Sequence, residues 1–284
     1  MIEHDIAWTA SDEAVLYNSI NHRANADIPK RYHEHDKYFP RRYGKHGKEI
    51  VVFFRDHTLS DKIGFDYQKM SADDAVNDFI GNIERIRHEI LERHGNDALS
   101  HACISVILDG ENCWEYYERN GFEFLDKLYA ALTSNPHIAP VTFSSYLSEV
   151  ERAAIQPLHH IVAGSWIHGD FRIWAGHPEK NLAWDLIAAV WNLASADELR
   201  PDSPLAHAEG SDWFWWYGDD HVSGQKPLFD ELFREHLRAA YVEHGLAIPS
   251  ELYTPIAHQA GARGEQVSEY GSMHRAGGGA GPDL

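Results

Sequence analysis

The chain has 284 residues, 43% of them hydrophobic, enough to bury a core in one large domain or two smaller ones. Its formal net charge is −19, from 25 Lys and Arg against 44 Asp and Glu, which argues against nucleic acid and anionic membranes as partners, because both need clustered cations. Two cysteines, Cys103 and Cys113, with no apolar run of transmembrane length and no leader-like segment, point to a reducing compartment, by default the cytoplasm, and to no disulfide.

Residues 5–9 read as a strand, and Ser11 as the cap of an amphipathic helix carrying Ala14, Val15 and Tyr17. A core strand so close to Met1 suggests a chain cut from something longer. Residues 21–48 are polar and basic and read as an exposed loop. His33 and His35 within it could ligate a metal, but an H-x-H pair in a loop more often holds none. Ile50-Val51-Val52-Phe53-Phe54 is a buried strand that ends in Arg55-Asp56-His57. Ser71 and Asp74 form a capping-box-like start for a helix with Val76, Phe79, Ile80, Ile83, Ile86 and Ile90 on one face, and Gly95 marks its end.

The run Ile104 to Leu108 is a third apolar strand, ending abruptly in Asp109-Gly110-Glu111-Asn112-Cys113-Trp114. A buried strand with a carboxylate at its C-terminal end is how α/β barrels present catalytic groups. Burial beside Trp114 and Tyr116 would raise the Asp109 pKa, as a general acid requires; the plainer alternative is a helix N-cap. Phe122, Leu125, Leu128, Tyr129 and Leu132 mark another helix. Residues 140–143 read as a fourth strand, with Ser144 capping the next helix.

The pattern predicts four βα units through about residue 155, roughly half of a closed barrel. No Gly-rich phosphate loop follows any strand, which disfavours a nucleotide-binding sheet. Seven of the nine tryptophans then fall between Trp166 and Trp216. Pro178 opens a helix at its first turn, and a last helix carries Leu228, Phe229, Leu232, Phe233, Leu237, Ala240 and Tyr241. From about Tyr253 periodicity is lost, and residues 257–284 are expected to be disordered. The expected domains are therefore a barrel portion over 1–155, an α-helical, Trp-rich substrate-binding region over 156–256, and a tail.

Sugars offer apolar C–H faces rimmed by hydroxyls, so a sugar site wants flat aromatics edged with carboxylates, amides and histidines. The Trp-rich stretches fit, although many of these rings will be core. Glycoside hydrolysis takes two carboxylates. Asp109 is the best candidate for one, while Glu111, Asp56, Asp170 and Asp212 stay open for the other.

Leu108-Asp109-Gly110-Glu111-Asn112-Cys113-Trp114-Glu115-Tyr116-Tyr117 resembles a motif of glycoside hydrolase family 57, the amylopullulanase and α-amylase-like group. So do Phe54-Arg55-Asp56-His57 with Leu59-Ser60-Asp61, Gly164-Ser165-Trp166-Ile167, Gly176-His177-Pro178-Glu179-Lys180-Asn181 with Trp184, and Glu209-Gly210-Ser211-Asp212-Trp213-Phe214-Trp215-Trp216-Tyr217-Gly218-Asp219-Asp220. The likeness covers about residues 2–256. It implies an α/β fold with an incomplete (β/α)7-type barrel followed by a helical region, retaining cleavage or transfer of α-glucosidic bonds, and no metal or other cofactor. It also implies that Asp109 is the acid/base. The family's nucleophile is a glutamate in a Trp-Pro-type segment on an earlier strand, and no such segment occurs in these 284 residues. The expectation is thus a truncated or split α-glucan-acting enzyme. An upstream polypeptide would supply the rest of the barrel, and self-association would cover exposed strand edges. Substrate-binding candidates are His57, Glu111, Trp114, Trp166, His168, Trp174, Asp212, Trp213 and Trp215. The alternatives are a noncatalytic glucan-binding remnant, and a metal-dependent polysaccharide deacetylase using Asp56, His57 and His168.

Overall fold

The computed structural model describes residues 1–22, 33–110, 113–193 and 200–257, which fall into two compact units divided between Asp170 and Phe171. The class is α/β, with helices predominating over one three-stranded sheet. No helix among the described residues is long and apolar enough to cross a membrane. The segments 23–32, 111–112, 194–199 and 258–284 lie outside the described residues, and with them Glu111 and most of the expected tail.

In the first unit, β1 (Trp8–Asp12) leads into α1 (Glu13–Ile20), capped by the Asp12 carboxylate accepting from the Ala14 amide. The strand runs three residues further than its apolar pattern suggested, and Asp12 takes the capping role expected of Ser11. β2 (Arg41–Lys45) and β3 (Lys48–Arg55) form a hairpin, giving the order β1-β3-β2, with β1 parallel and β2 antiparallel to β3. β3 is apolar on both sides because both of its faces are covered. Val52 and Phe54 pack with Leu16, Ile20 and Leu158, while Val51 and Phe53 pack with Cys103, Tyr146 and Ile155.

Around the sheet lie α2 (His57–Asp61), α3 (Ala72–His94), α4 (Asn96–Leu99), α5 (Phe122–Ser134) and α6 (Phe143–Glu149). α3 starts and stops as its sequence dictates: the Ser71 hydroxyl accepts from the Asp74 amide, and Gly95 closes the helix at φ 80°. Phe79, Ile83, Ile86 and Ile90 of α3 meet Phe124 and Leu128 of α5 in the largest core of this unit. The phase of α5 differs from expectation. Phe124 is buried, whereas Phe122 and Tyr129 are 62% and 60% exposed.

Three expectations are corrected. The polar stretch around residue 35 is not an exposed loop, since His35, Lys37 and Tyr38 are buried in a short 3-10 helix, Glu34–Tyr38. Lys37 is buried because Glu13 and Asp56 neutralise it at 2.5 and 3.4 Å. Residues 140–143 form no strand; Thr142 caps α6 in a reciprocal pair with Ser145. The run 104–108 makes only a single parallel bridge, Ser105 to Arg55. β1 holds one edge of β3, and β2 occupies the other over residues 48–52. The run therefore reaches only the last residues of β3, and no longer ladder can form.

The second unit is helical: α7 (Pro178–Leu193), α8 (Pro204–Ala208), α9 (Ser211–Trp216) and α10 (Lys226–Glu243). Its core joins Ile187, Val190, Phe214, Phe233, Leu237 and Tyr241 with Leu252 and Ile256. Order thus continues past Tyr253, where periodicity fades, because Ile256 is 3% exposed and its amide is bonded to Asp230.

Candidate active site

The C-terminal ends of β1, β3 and the 104–108 run carry a cluster of charge. Asp12 ends β1, Arg55 ends β3, and Asp56 and His57 follow. Arg55 donates from Nε to the Ile107 carbonyl at 2.9 Å and from Nη2 to Asp61 at 2.7 Å, with Asp12 3.9 Å from Nη1. His57 lies between two carboxylates, Asp12 at 3.4 Å and Asp61 at 2.9 Å. Asp109 follows the run, half-buried, two residues beyond the carbonyl that Arg55 holds.

Asp56 is 2% exposed. It accepts from the Leu59 amide at 2.8 Å and the Tyr38 hydroxyl at 2.6 Å, and its remaining charge faces Lys37. Every one of these contacts is structural. Asp56 caps α2 and neutralises a buried lysine, which leaves little of it for substrate.

Hydrogen bonds to Asp12 and then Asp61 raise the His57 pKa to about 9, against the lowering effect of burial. A raised pKa stabilises the fold fully below the unfolded value of about 6.5, and the benefit is lost as pH rises through about 9. Because the side chain is 41% exposed, solvent screening reduces the effect to about 1 kcal/mol. Urea midpoints at about pH 6 and above pH 9 should therefore differ more for the wild type than for His57→Gln. Equal pH dependence in the two proteins would show that the two contacts do not form in solution.

Trp166 sits on a turn mounted against α1. Gly164 approaches Gly169 so closely that a Cβ on Gly164 would stand 2.2 Å from the Gly169 carbonyl oxygen, and Gly169, at φ 67°, touches Ala14. Asn18 donates to the Gly169 carbonyl at 3.3 Å. This mount places the Trp166 ring 5.7 Å from the Arg55 guanidinium. His168, on the same turn, is exposed and left-handed at φ 58°. Trp114 packs against Tyr117 and Phe124, partly buried at the edge of the core.

The other expected aromatic residues belong to the second unit. Trp174 and Trp215 are half-buried, with ring centroids 6.1 Å apart. Trp215 also stacks on His221 at 4.1 Å. Trp213 donates to the His207 carbonyl and packs on Phe233, and Asp212 is exposed at the start of α9. Asp220 pairs with the fully buried Lys180, which also donates to the Ile173 carbonyl at 2.5 Å, so this acid is explained by the core.

The site therefore divides. Asp109, His57, Trp114, Trp166 and His168 lie in the first unit, and Trp174, Asp212, Trp213 and Trp215 in the second. Among the described residues no group of three or more His, Cys, Asp or Glu is arranged to hold a metal ion, so Asp56, His57 and His168 form no such set. Asp12, Arg55, Ser60 and Asp61 were not singled out from the sequence as site residues. The one available sign was that three of the four lie in the segment 54–61.

Charged side chains thus gather where the parallel strands of this α/β protein end. The model of glycosyl hydrolase family 57 matches residues 2–159, more than half of the chain, and the protein belongs to that family. No curated protein matches the sequence. Among solved structures, the chain resembles 4-alpha-glucanotransferase from Thermococcus litoralis, at 17% identity and a TM-score of 0.58, covering 84% of this chain and 39% of that one. It also resembles a family 57 branching enzyme from Thermococcus kodakaraensis crystallised with glucose, at 16% identity and a TM-score of 0.55, covering 75% of this chain and 49% of that one. The chain thus spans less than half the length of either.

Proposed function

We propose that this chain is the acid/base-bearing portion of a retaining α-glucan-acting glycosidase of the α-amylase and amylopullulanase type. The observation that carries the reading is the placement of Asp109: half-buried, just past a run that bridges to β3, in a chain of glycosyl hydrolase family 57. In the barrel reading, β1, β3 and the 104–108 run are successive strands of an incomplete (β/α)7-type barrel whose C-terminal rim carries the site.

Asp109 would protonate the glycosidic oxygen as the bond to the anomeric carbon breaks, and in the second half-reaction would take a proton from the incoming water or sugar hydroxyl. The nucleophile of a retaining mechanism would come from a polypeptide carrying the Trp-Pro-type segment. In the first unit Trp166 and His168 would hold sugar, His57 being engaged by Asp12 and Asp61; Trp174, Asp212, Trp213 and Trp215 would do so in the second.

Turnover of maltoheptaose or soluble starch is expected when the chain is combined with such a polypeptide, and Asp109→Asn should lower kcat by about 10²–10⁴-fold. Full activity of Asp109→Asn, or none in any combination, would refute the assignment. A second reading, glucan binding without turnover, rests on the half-buried Trp174 and Trp215 rings of the second unit. It predicts calorimetric binding of maltoheptaose that survives Asp109→Asn and is lost in Trp215→Ala. No heat from the wild type would dispose of it.

A further inference from the structure

We infer that Arg55 and Ser60 are positioning residues for Asp109: their side chains take the place of the missing strand ladder and fix the run that presents the carboxylate. The inference rests on the reading of Asp109 as the acid/base, but its geometry stands independently.

The 104–108 run forms one bridge, at Ser105, where the Asp56 amide donates to the Ser105 carbonyl at 2.8 Å. Two residues on, both backbone groups of Ile107 are bonded to side chains. Its amide donates to Ser60 Oγ at 3.1 Å, and its carbonyl accepts from Arg55 Nε at 2.9 Å. A ladder would have supplied these bonds from a neighbouring backbone. Here they come from one short segment, residues 55–60, at the end of β3.

That segment is itself braced. Asp61 holds the far end of the Arg55 fork at 2.7 Å and bonds His57 at 2.9 Å, and His57 reaches Asp12 on β1 at 3.4 Å. Trp166 stands against the guanidinium face. Asp56 caps the turn that carries Ser60. Arg55, Asp56, His57, Ser60 and Asp61 thus form a bracket running from β1 to the backbone two residues before Asp109. His57, expected to touch sugar, has both ring nitrogens engaged in this bracket.

The planar fork explains why arginine stands here. One guanidinium bonds a carbonyl on one side and a carboxylate on the other in a fixed plane, which a lysine ammonium cannot reproduce. Ser60 is fully buried, so its hydroxyl holds the Ile107 amide away from solvent.

The test uses the full chain with ¹³C-labelled aspartate, the Asp109 carboxyl resonance being identified by its loss in Asp109→Asn. In Ser60→Ala and Arg55→Lys the Asp109 titration midpoint is expected to move by about half a pH unit or more. Hydrogen exchange over residues 104–108 should rise about tenfold for each tether lost, while α3 stays protected. Ser60→Thr keeps the hydroxyl and should restore both readouts. An unchanged Asp109 titration in a folded Ser60→Ala protein, or faster exchange without any change at Asp109, would overturn the inference. If the titration and exchange respond but Asp109→Asn retains full glucan turnover in the reconstituted enzyme, the bracket stands and the acid/base assignment falls.

Discussion

Asp230→Ala is expected to destabilise the second unit by about 3–5 kcal/mol, a large share of the stability of an ordinary domain. Asp230 is 2% exposed and accepts four hydrogen bonds. Its Oδ1 takes the Tyr217 hydroxyl at 3.0 Å and the amides of Ile256 and Ala257 at 2.9 and 3.2 Å. Its Oδ2 accepts from Arg234 Nε at 3.0 Å and forms an ion pair with Nη2 at 2.9 Å. Removing the carboxylate leaves the 4%-exposed Arg234 guanidinium with Glu231 at 2.6 Å and the Leu252 carbonyl at 3.1 Å, and frees the segment that seats Leu252 and Ile256 in the core. The donors left without an acceptor, the Tyr217 hydroxyl and the Ile256 and Ala257 amides, are the costliest part of this loss. Six of the nine tryptophans, Trp174 to Trp216, lie in this unit, so urea unfolding followed by tryptophan fluorescence reports mainly on it. A midpoint within experimental error of wild type would mean that the carboxylate does not bind these partners.

Asp56→Ala should destabilise the first unit on a similar scale, about 3 kcal/mol or more. The substitution deletes the α2 cap, leaves the Tyr38 hydroxyl without its acceptor, and leaves Lys37 with Glu13 as its remaining close carboxylate. Asp56→Asn keeps the shape and the oxygen that caps Leu59 but loses the charge opposite Lys37, so it should cost less. Differential scanning calorimetry on the two variants checks the order. The outcome bears on function as well, because Asp56 was a candidate for the second catalytic carboxylate. A catalytic but structurally idle Asp56 would leave the melting transition unmoved in both variants.

Much of the scaffold was legible in the sequence because the physics that sets it is local. The β3 run Ile50 to Phe54 is apolar throughout, and both of its faces are buried. α3 carries its own start, face and stop in Ser71, the Phe79–Ile90 stripe and Gly95. Pro178 opens α7 as its fixed φ requires. Where expectation and structure part, either a competing local signal or a distant segment decides. Residues 140–143 have strand composition, but the hydroxyls of Thr142 and Ser145 offer a helix cap instead. The 104–108 run has strand composition too, yet β2 already holds the edge of β3 it would need. Hydrophobic pattern says that a segment will be buried, not which neighbour is left for it to pair with.

The site shows the same division. The acidic cluster after Leu108, the Arg55-Asp56-His57 triplet and the wealth of tryptophan were visible as residue types, and their motifs carried the family, which the match over residues 2–159 bears out. What each residue does was not visible. Arg55, Asp56 and His57 read alike as charges at a strand end, but tertiary contacts make Asp56 a cap for α2 and a counter-ion for Lys37, and link Arg55 and His57 through Asp61 in a brace that reaches the backbone before Asp109. Lys37, which a solvated loop would have exposed, is buried because Glu13 and Asp56 from separate elements converge on it. The sequence by itself determined the α/β class, the helices with their caps, and the family. Only the tertiary structure decided which charges are engaged by the fold, because a carboxylate's role depends on partners distant in sequence, as Asp56 depends on Lys37 and Asp12 on His57, and on the solvent they exclude.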